Sequence, residues 1–259
     1  MVDAAALKRP VLILGGTGDA RLLVEQLTQA GHRDVRLSLA GATRAPTLPD
    51  RGSVRIGGFG GAQGLADYLI GEQIALLIDA THPYAAQITA HAHAAAQHTK
   101  LPLLRLNRPP WVPHTDDHWI SATDHLQAAS LMPSHARRIF LSIGRKEVAA
   151  YANCADRWFL IRSIEPPDPD TTPARHRWIS ARGPFDMAAE TMLMRAQQID
   201  CLVTKNSGGK ATYGKIAAAR TLGLPVVMIA RPAEPQADAH AETVADALAW
   251  VARQLRSSA

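Results

Sequence analysis

The sequence predicts an α/β protein, with two Rossmann-like domains built on mainly parallel sheets and a ligand cleft between them. Short apolar runs alternate with helical segments along the 259 residues, a pattern typical of parallel strands joined by helical crossovers. A proline-rich stretch, NRPPWVPH at 107–114, interrupts this alternation near the middle. A shift of 123 residues aligns an alanine-rich helix, a Leu-Pro pair and an Arg-Pro pair of the first half with those of the second. These observations favour two halves of similar build.

The first half begins with a short apolar strand and alternates from there. Leu22, Leu23 and Leu27 give the first helix an apolar side, and the run that ends at Asp79 is the most apolar strand of this half. An alanine-rich helix follows it. Strands are predicted at 11–14, 35–39, 54–56, 74–80 and 101–106, and helices at 19–29, 62–70 and 84–98.

The second half repeats the plan and ends in a long helix. Val244, Leu248, Val251 and Leu255 have the spacing of one helical face. Strands are predicted at 139–143, 158–164, 201–204 and 226–229, and helices at 185–197, 211–221 and 241–255. We therefore predict a first domain at 1–107, a connection at 108–116, and a second α/β domain at 117–259 that includes the C-terminal helix.

Composition excludes several classes of protein. Apolar residues make up 47% of the chain and charged residues 20%, which is typical of a globular protein. No run reaches the roughly 18 apolar residues that a membrane helix needs, and two cysteines provide no disulfide framework. The first residues lack the apolar segment of a signal peptide, so a cytoplasmic location is expected. The basic residues that give the net charge of +5 are scattered, which favours a small anionic ligand over nucleic acid.

The segment LILGGTGDAR at 12–21 predicts a nucleotide site in the first domain. Glycines after the first strand allow a sharp turn and close approach of a pyrophosphate, and the following helix directs its N–H groups at that anion. Arg21 stands where the third glycine of GxGxxG would be, and the alternative interpretation is a tight turn alone. The expected contacts are Gly15, Gly16, Thr17, Gly18, Asp19 and Ala20.

The loop after the second strand indicates which nucleotide binds. An NAD site has an acidic residue there, whereas the region 35–46 has none and offers Ser38, Thr43 and Arg44. A guanidinium suits a 2′-phosphate, so NADPH is favoured, and the alternative for Arg44 is an ordinary loop arginine. Further cofactor contacts are expected after the third strand and after the fourth. They are Gly57, Gly58, Thr81 and His82.

Polar and basic loops follow the strands of the second half. The segment TKNSGGKATYGK at 204–215 is dense in hydrogen-bond donors, yet neither a Walker pattern nor a YxxxK pattern is present. We interpret this segment as an anion-binding loop. His91, His93 and His98 do not share one helical face, so no metal site is predicted.

Together these motifs resemble the precorrin-6A reductase family of cobalamin biosynthesis. GGTGDAR, DATHPYAAQI, LRLNRPPW, IGRKE, RGPF and VTKNSGG carry the resemblance, which runs from about residue 11 to 232. It implies an oxidoreductase that uses NADPH to reduce one carbon–carbon double bond of the precorrin-6A macrocycle, giving precorrin-6B. The family acts on metal-free or on cobalt-containing substrate, and the second-strand loop favours the metal-free branch.

The resemblance also implies roles for the second half. The substrate carries many carboxylates, for which separated basic residues and loop N–H groups are expected contacts. These are Arg145, Lys146, Arg182, Lys205, Asn206, Ser207, Gly208, Gly209, Thr212 and Lys215. The proton that accompanies the hydride could come from His82, Tyr84, Lys205 or water. Transient contacts with neighbouring pathway enzymes are expected, but none with nucleic acid or membranes.

Two rival functions predict different features. A non-catalytic NADPH-sensing or nucleotide-sugar-binding module would share the glycine turn, but it gives no role to the donor-rich second half. A basic nucleic-acid binder would place aromatic residues beside its basic loops. Aromatic residues make up only 5% of the chain, and Trp111, Trp119 and Trp158 lie outside those loops.

Overall fold

A computed structural model describes residues 6–41 and 44–257 of the chain. The strands among them are β1 (Val11–Leu14), β2 (Val35–Leu39), β3 (Ser53–Ile56), β4 (Leu76–Asp79), β5 (Leu103–Leu106), β6 (His118–Ala122), β7 (Arg138–Ser142), β8 (Trp158–Ser163), β9 (His176–Ser180), β10 (Cys201–Lys205), β11 (Pro225–Ile229) and β12 (Ala239–Ala241). The helices are α1 (Gly18–Gln29), α2 (Gly61–Gly71), α3 (Ala86–Thr99), α4 (His125–Leu131), α5 (Met187–Ala196), α6 (Gly214–Thr221) and α7 (Val244–Ser257). No helix within these two ranges has both the length and the apolar character needed to cross a membrane.

The chain folds into two compact units, and the first is discontinuous in sequence. It contains the chain up to Arg108 and again from Pro232, whereas the second unit is Pro109–Arg231. The structure therefore corrects the expected placement of the C-terminal helix in the second domain. The apolar face of α7 joins the core of the first unit because Val251 and Leu255 pack in one cluster with Leu23 and Leu104. The expected connection from 109 onward belongs to the second unit.

The first unit is a six-stranded parallel sheet in the order β12-β5-β4-β1-β2-β3. With β12 as its sixth strand, this is the 3-2-1-4-5-6 order of dinucleotide-binding sheets. Val11 and Ile13 face one apolar cluster and Leu12 and Leu14 face another. Because both faces are covered, the central strands read as unbroken apolar runs.

The second unit is also a six-stranded parallel sheet, in the order β6-β11-β10-β7-β8-β9. If β7 is counted as the first strand, the order is again 3-2-1-4-5-6, with β6 in the sixth position. Phe140, Leu160 and Leu202 pack with Met194 and Ile216 on one face. The predicted α/β class, with two Rossmann-like domains of parallel strands, is confirmed.

The elements that sequence reasoning missed lie mostly at sheet edges. β6, β9 and β12 each end a sheet, and their polar, partly exposed residues do not form apolar runs. The short helix α4 was also missed. Helices predicted from 185 and 211 begin later, at Met187 and Gly214, because the preceding residues form loops at the ends of strands.

Candidate functional site: a nucleotide turn and a donor-rich loop

The glycine turn between β1 and α1 is held from both sides. Gly15 N donates to Ser38 O of β2 at 2.9 Å, and a Cβ on Gly15 would overlap Cδ1 of Leu37. Thr17 caps α1, because its Oγ1 accepts from Ala20 N at 3.1 Å, and the same hydroxyl donates to Ala80 O at 2.8 Å. The turn is thereby fixed to both neighbours of β1, at the point where an open α/β sheet binds its ligand.

Space lies over the middle of this turn. Gly16 has a φ of 113°, and a Cβ placed on Gly16 or Gly18 would meet no atom within 4 Å. Gly57 and Gly58, which follow β3, are open in the same way. Gly16, Gly18, Gly57 and Gly58 thus provide backbone that a ligand can approach closely.

Arg55 of β3 shapes the second glycine loop and was not predicted. Its guanidinium donates to the carbonyls of Gly57 and Gly58 at 2.5 and 2.8 Å and lies 4.0 Å from the ring centroid of Phe59. Its position just before GGFGG could have indicated this role, because the carbonyls of a glycine loop need hydrogen-bond donors.

The other predicted cofactor contacts lie in different environments. Ser38 is buried at 6% exposure, and its carbonyl supports the glycine turn. Asp19, in the first turn of α1, accepts from Arg108 Nε at 2.6 Å. Arg44 is exposed beyond the end of β2, and Thr43 lies outside the described residues.

A buried ion-pair network supports the loop that carries Thr81 and His82. Arg105 Nη1 donates to the carbonyls of Asp79 and Thr81 at 3.2 and 3.1 Å and lies 3.3 Å from Asp79 Oδ1. Its Nε and Nη2 donate to Glu234 at 3.0 and 2.6 Å. Asp79 Oδ1 accepts from both N and Oγ1 of Thr81. Sequence reasoning missed this network because Glu234 is 129 residues from Arg105.

His82 and Tyr84 share one turn after β4. His82 is exposed and Tyr84 is half-buried, with ring centroids 5.6 Å apart. The backbone N–H of Tyr84 donates to Nδ1 of His82 at 3.3 Å. Because Nδ1 accepts, the neutral imidazole carries its proton on Nε2.

Lys205 belongs to the second unit and lies in a cluster of titratable groups. Its Nζ donates to Glu147 Oε1 at 2.7 Å. His125 Nδ1 is 3.5 Å from the hydroxyl of Tyr151. Burial and the charge of Lys205 lower the pKa of His125, and burial raises the pKa of Tyr151 above its usual range. Three other predicted substrate contacts, Arg145, Lys146 and Arg182, are exposed.

The loop after β10 makes hydrogen bonds to Trp111 that were not predicted from the sequence. Asn206 Oδ1 accepts from Trp111 N at 2.7 Å, and Asn206 Nδ2 donates to Trp111 O at 2.9 Å. Trp111 Nε1 donates to Gly209 O at 2.8 Å. Gly208 has a φ of 69°, and a Cβ there would overlap Pro109 O. Asn206, Gly208 and Gly209 therefore hold the segment around Trp111.

Ser207 and Thr212 also make local contacts. Ser207 N donates to Lys205 O at 2.9 Å, and the carbonyl of Thr212 accepts from Lys215 Nζ at 3.0 Å. Both residues are half-buried. These contacts stabilise the conformation of the loop.

Lys215 is buried, which differs from the surface position that carboxylate binding suggested. It is 3% exposed, and its Nζ lies 5.1 Å from the ring centroid of Trp111. Burial, with the charge of Arg162, lowers the pKa of Lys215 to about 7, although Glu190 opposes this shift. Arg162 and Glu190 form a buried bidentate pair at 2.5 and 2.8 Å.

A groove of about 540 Å³ lies beside this loop within the second unit. Its lining is largely apolar and includes three aromatic rings. It consists of Pro109, Pro110, Trp111, Val112, Phe185, Asp186, Met187, Gly209, Lys210, Tyr213, Gly214 and Ala217. Across residues 6–41 and 44–257, no cluster of three or more potential metal ligands is found.

Comparison with known proteins decides the family. The family model described as precorrin-6x reductase CbiJ/CobK matches residues 10–252. This chain belongs to that family. The precorrin-6A reductase of Rhodococcus erythropolis is 51% identical, over 93% of this chain and 96% of that relative. The solved structure of CobK precorrin-6A reductase has a TM-score of 0.89 at 38% identity, covering 95% of this chain and 97% of that one. The cobalt-precorrin-6A reductase of Synechocystis sp. is 29% identical, over 90% of this chain and 91% of that relative.

Membership of the precorrin-6x reductase family indicates a nicotinamide cofactor, and the residues of the first unit fit one. A Cβ on Gly16, Gly18, Gly57 or Gly58 would project into open space. A bound dinucleotide needs this space to approach the backbone. These glycines follow β1 and β3 in a sheet with dinucleotide-binding strand order. The N-terminus of α1 follows directly, where N–H groups favour a pyrophosphate.

Proposed function

We propose that this chain reduces one carbon–carbon double bond of precorrin-6A with NADPH and releases precorrin-6B. The observation that carries the proposal is an open glycine turn, at the centre of a dinucleotide-type sheet, in a member of the precorrin-6x reductase family. When bound, the nicotinamide supplies the hydride. The chain orients both partners and provides a proton for the neighbouring carbon.

The end of β2 supports NADPH over NADH. β2 ends at Leu39, and the first carboxylate after it in the sequence is Asp50, eleven residues further on. A ribose 2′-hydroxyl would therefore lack its usual acceptor. Arg44 offers a cation in this loop, and a guanidinium binds phosphate oxygens in bidentate fashion.

The degree of similarity supports a metal-free substrate. The Rhodococcus relative, named for precorrin-6A, is 51% identical, whereas the Synechocystis relative, named for cobalt-precorrin-6A, is 29% identical. This difference agrees with the inference from the second-strand loop. We therefore propose a metal-free substrate.

His82 is the proton donor that the geometry favours among His82, Tyr84, Lys205 and water. Its ring is exposed, and as an imidazolium it can give one proton to the substrate carbon and return to neutral imidazole. Arg105 fixes the backbone of the loop through two carbonyls, which limits movement of the imidazole. Lys205 is held by Glu147 and suits a carboxylate contact better.

Replacement of His82 tests its role. We expect His82→Gln to lower kcat by about 10²- to 10⁴-fold, the usual contribution of a general acid, and to leave the Kd for NADPH unchanged. Added imidazole should restore part of kcat. An unchanged kcat would transfer the role to Tyr84, Lys205 or water.

The second unit offers dispersed cations for the substrate carboxylates. Arg145, Lys146 and Arg182 are exposed and Lys205 is partly exposed, so each can meet a separate carboxylate. Asn206 is engaged with Trp111 and Lys215 is buried. We propose that these last two shape the site and that the four more accessible cations bind the carboxylates.

The direct test is anaerobic incubation with precorrin-6A and either NADPH or NADH, followed at the absorbance band of the reduced nicotinamide. We expect oxidation of NADPH, with the macrocycle gaining two hydrogens by mass spectrometry. Binding of NADPH without oxidation would refute the reductase and leave the NADPH-sensing module. Failure to bind either nucleotide would remove both functions.

A further inference from the structure

The groove of the second unit has the properties of a built ligand site. Exposed large apolar side chains are grouped there, with Val112 at 77% and Met187 at 49% exposure. Such grouping on a protein surface usually marks a binding site. Its volume of about 540 Å³ falls within the range of roughly 300–1,000 Å³ that small-molecule sites occupy.

Trp111 forms a rigid wall of this groove. Its backbone N–H and carbonyl both pair with the side-chain amide of Asn206, and its indole N–H donates to Gly209 O. The ammonium of Lys215 lies near its ring, 5.1 Å from the centroid. A residue whose backbone and side chain are both held by hydrogen bonds loses little freedom when a ligand packs on it.

The two other aromatic rings are also fixed. Arg162 lies 3.7 Å from the ring centroid of Phe185, and that arginine is itself held by Glu190. Tyr213 accepts a hydrogen bond from Arg220 at 2.7 Å, and its ring lies 5.8 Å from that of Trp111. The groove is therefore formed in advance of binding, with flat apolar surfaces on several sides.

The lining of the groove carries one cation and one carboxylate. Lys210 contributes an exposed cation. Asp186 also lines the groove, but its Oδ1 accepts from Ala189 N and caps α5. A ligand with a flat apolar ring and peripheral carboxylates can place the ring against the aromatic walls and one carboxylate beside Lys210.

We infer that this groove binds one apolar edge of the tetrapyrrole through Trp111, Phe185, Met187 and Tyr213. This inference rests on the proposed function, because that function supplies the carboxylated ring. Asn206 acts here as a positioning residue that holds Trp111. Since a whole macrocycle exceeds the groove, only one pyrrole-derived ring and its substituents enter it.

A matched pair of substitutions on α5 tests the inference. Met187 and Met192 are both exposed methionines on the same helix, at 49% and 71%, and only Met187 belongs to the lining. We expect Met187→Asp to raise the KM for precorrin-6A at least tenfold, about 1.4 kcal/mol, by placing a charge against an apolar ring and repelling carboxylates. Met192→Asp should leave KM within twofold, and both variants should keep the wild-type Kd for NADPH.

Uroporphyrin III provides a readout without catalysis. It is a flat tetrapyrrole with peripheral carboxylates, and its binding can be followed by quenching of tryptophan fluorescence. We expect Met187→Asp to weaken this binding at least tenfold and Met192→Asp to leave it unchanged. Val112→Asp should reproduce the effect of Met187→Asp from another wall of the groove.

The outcomes separate this inference from the proposed function. If Met187→Asp and Met192→Asp behave alike in both KM and porphyrin binding, the groove is not the site, although the wild-type chain still reduces precorrin-6A. If the wild-type chain is inactive but binds uroporphyrin III, and only the groove variants lose binding, the reductase proposal fails and the groove stands.

Discussion

The buried ammonium of Lys215 makes the stability of this protein depend on pH in a predictable direction. Burial lowers its pKa from 10.5 to about 7 in the folded state. Between these values the unfolded chain binds a proton that the folded chain does not. Folding stability therefore falls as pH decreases through this window, by about 1.4 kcal/mol per pH unit, and levels off below pH 7.

Lys215→Met removes this titration while keeping a side chain of similar length. For pKa values of about 7 and 10.5, the linkage relation predicts that the free energy of unfolding of the wild type falls by about 2.5 kcal/mol between pH 9 and pH 6. The variant lacks this contribution. The variant should therefore be the more stable protein at pH 6. Loss of the hydrogen bond to Thr212 O opposes this gain by roughly 1 kcal/mol, but it does not vary with pH.

Urea unfolding followed by circular dichroism at several pH values from 6 to 9 measures this difference. Lys210→Met is the control, because Lys210 is an exposed lysine of the same loop, and its curve should run parallel to that of the wild type. If the curves of Lys215→Met and the wild type are parallel instead, Lys215 is charged in the folded protein. Its role would then return to direct carboxylate binding.

Substitutions at the two candidate sites should have separable effects. Arg44→Ala should weaken NADPH by about ten- to a hundredfold, the value of a charged hydrogen bond of roughly 1.5–3 kcal/mol, and leave NADH unchanged in titration calorimetry; equal losses would place Arg44 elsewhere. Gly16→Val should abolish nucleotide binding, because valine disfavours a φ of 113° and its side chain would fill the open space above the turn. The variant should still unfold cooperatively, and normal nucleotide binding by it would show that the nucleotide site lies elsewhere. Lys205→Ala and Arg182→Ala should raise the KM for the tetrapyrrole, make that KM less dependent on salt and leave NADPH affinity intact. Loss of NADPH affinity alone would instead assign the nucleotide to the second unit.

The central strands could be predicted from sequence because both of their faces are buried. β1 and β4 are buried at every position, so β1 reads as an unbroken apolar run and β4 as an apolar run that ends at Asp79. β9 lies at an edge and has no fully buried residue, so its sequence carries no such signal. The helix α7 was correctly predicted as amphipathic, but its apolar face gives no information about which sheet it covers.

The candidate site was predictable where it is local in sequence. The glycine turn depends on adjacent residues, and the structure gives it the geometry that the motif indicates. Asn206 and Trp111 are 95 residues apart, so their pairing left no pattern to detect. Lys215 did leave one, because it shares helical spacing with the buried Ala218 and Ala219, which indicates the inner face of α6.

The first unit can be completed only by residues that follow the second unit in the chain. Arg105 is buried and depends on Glu234 for two of its hydrogen bonds, while β12 and α7 cover the β5 edge and one face of the sheet. A chain that ended before Glu234 would leave this guanidinium with only Asp79 of its two carboxylate partners, and breaking a buried ion pair costs several kcal/mol. Arg105 also holds the carbonyls of Asp79 and Thr81. The loop that presents His82 therefore depends, through Arg105, on Glu234, which follows the second unit in the chain.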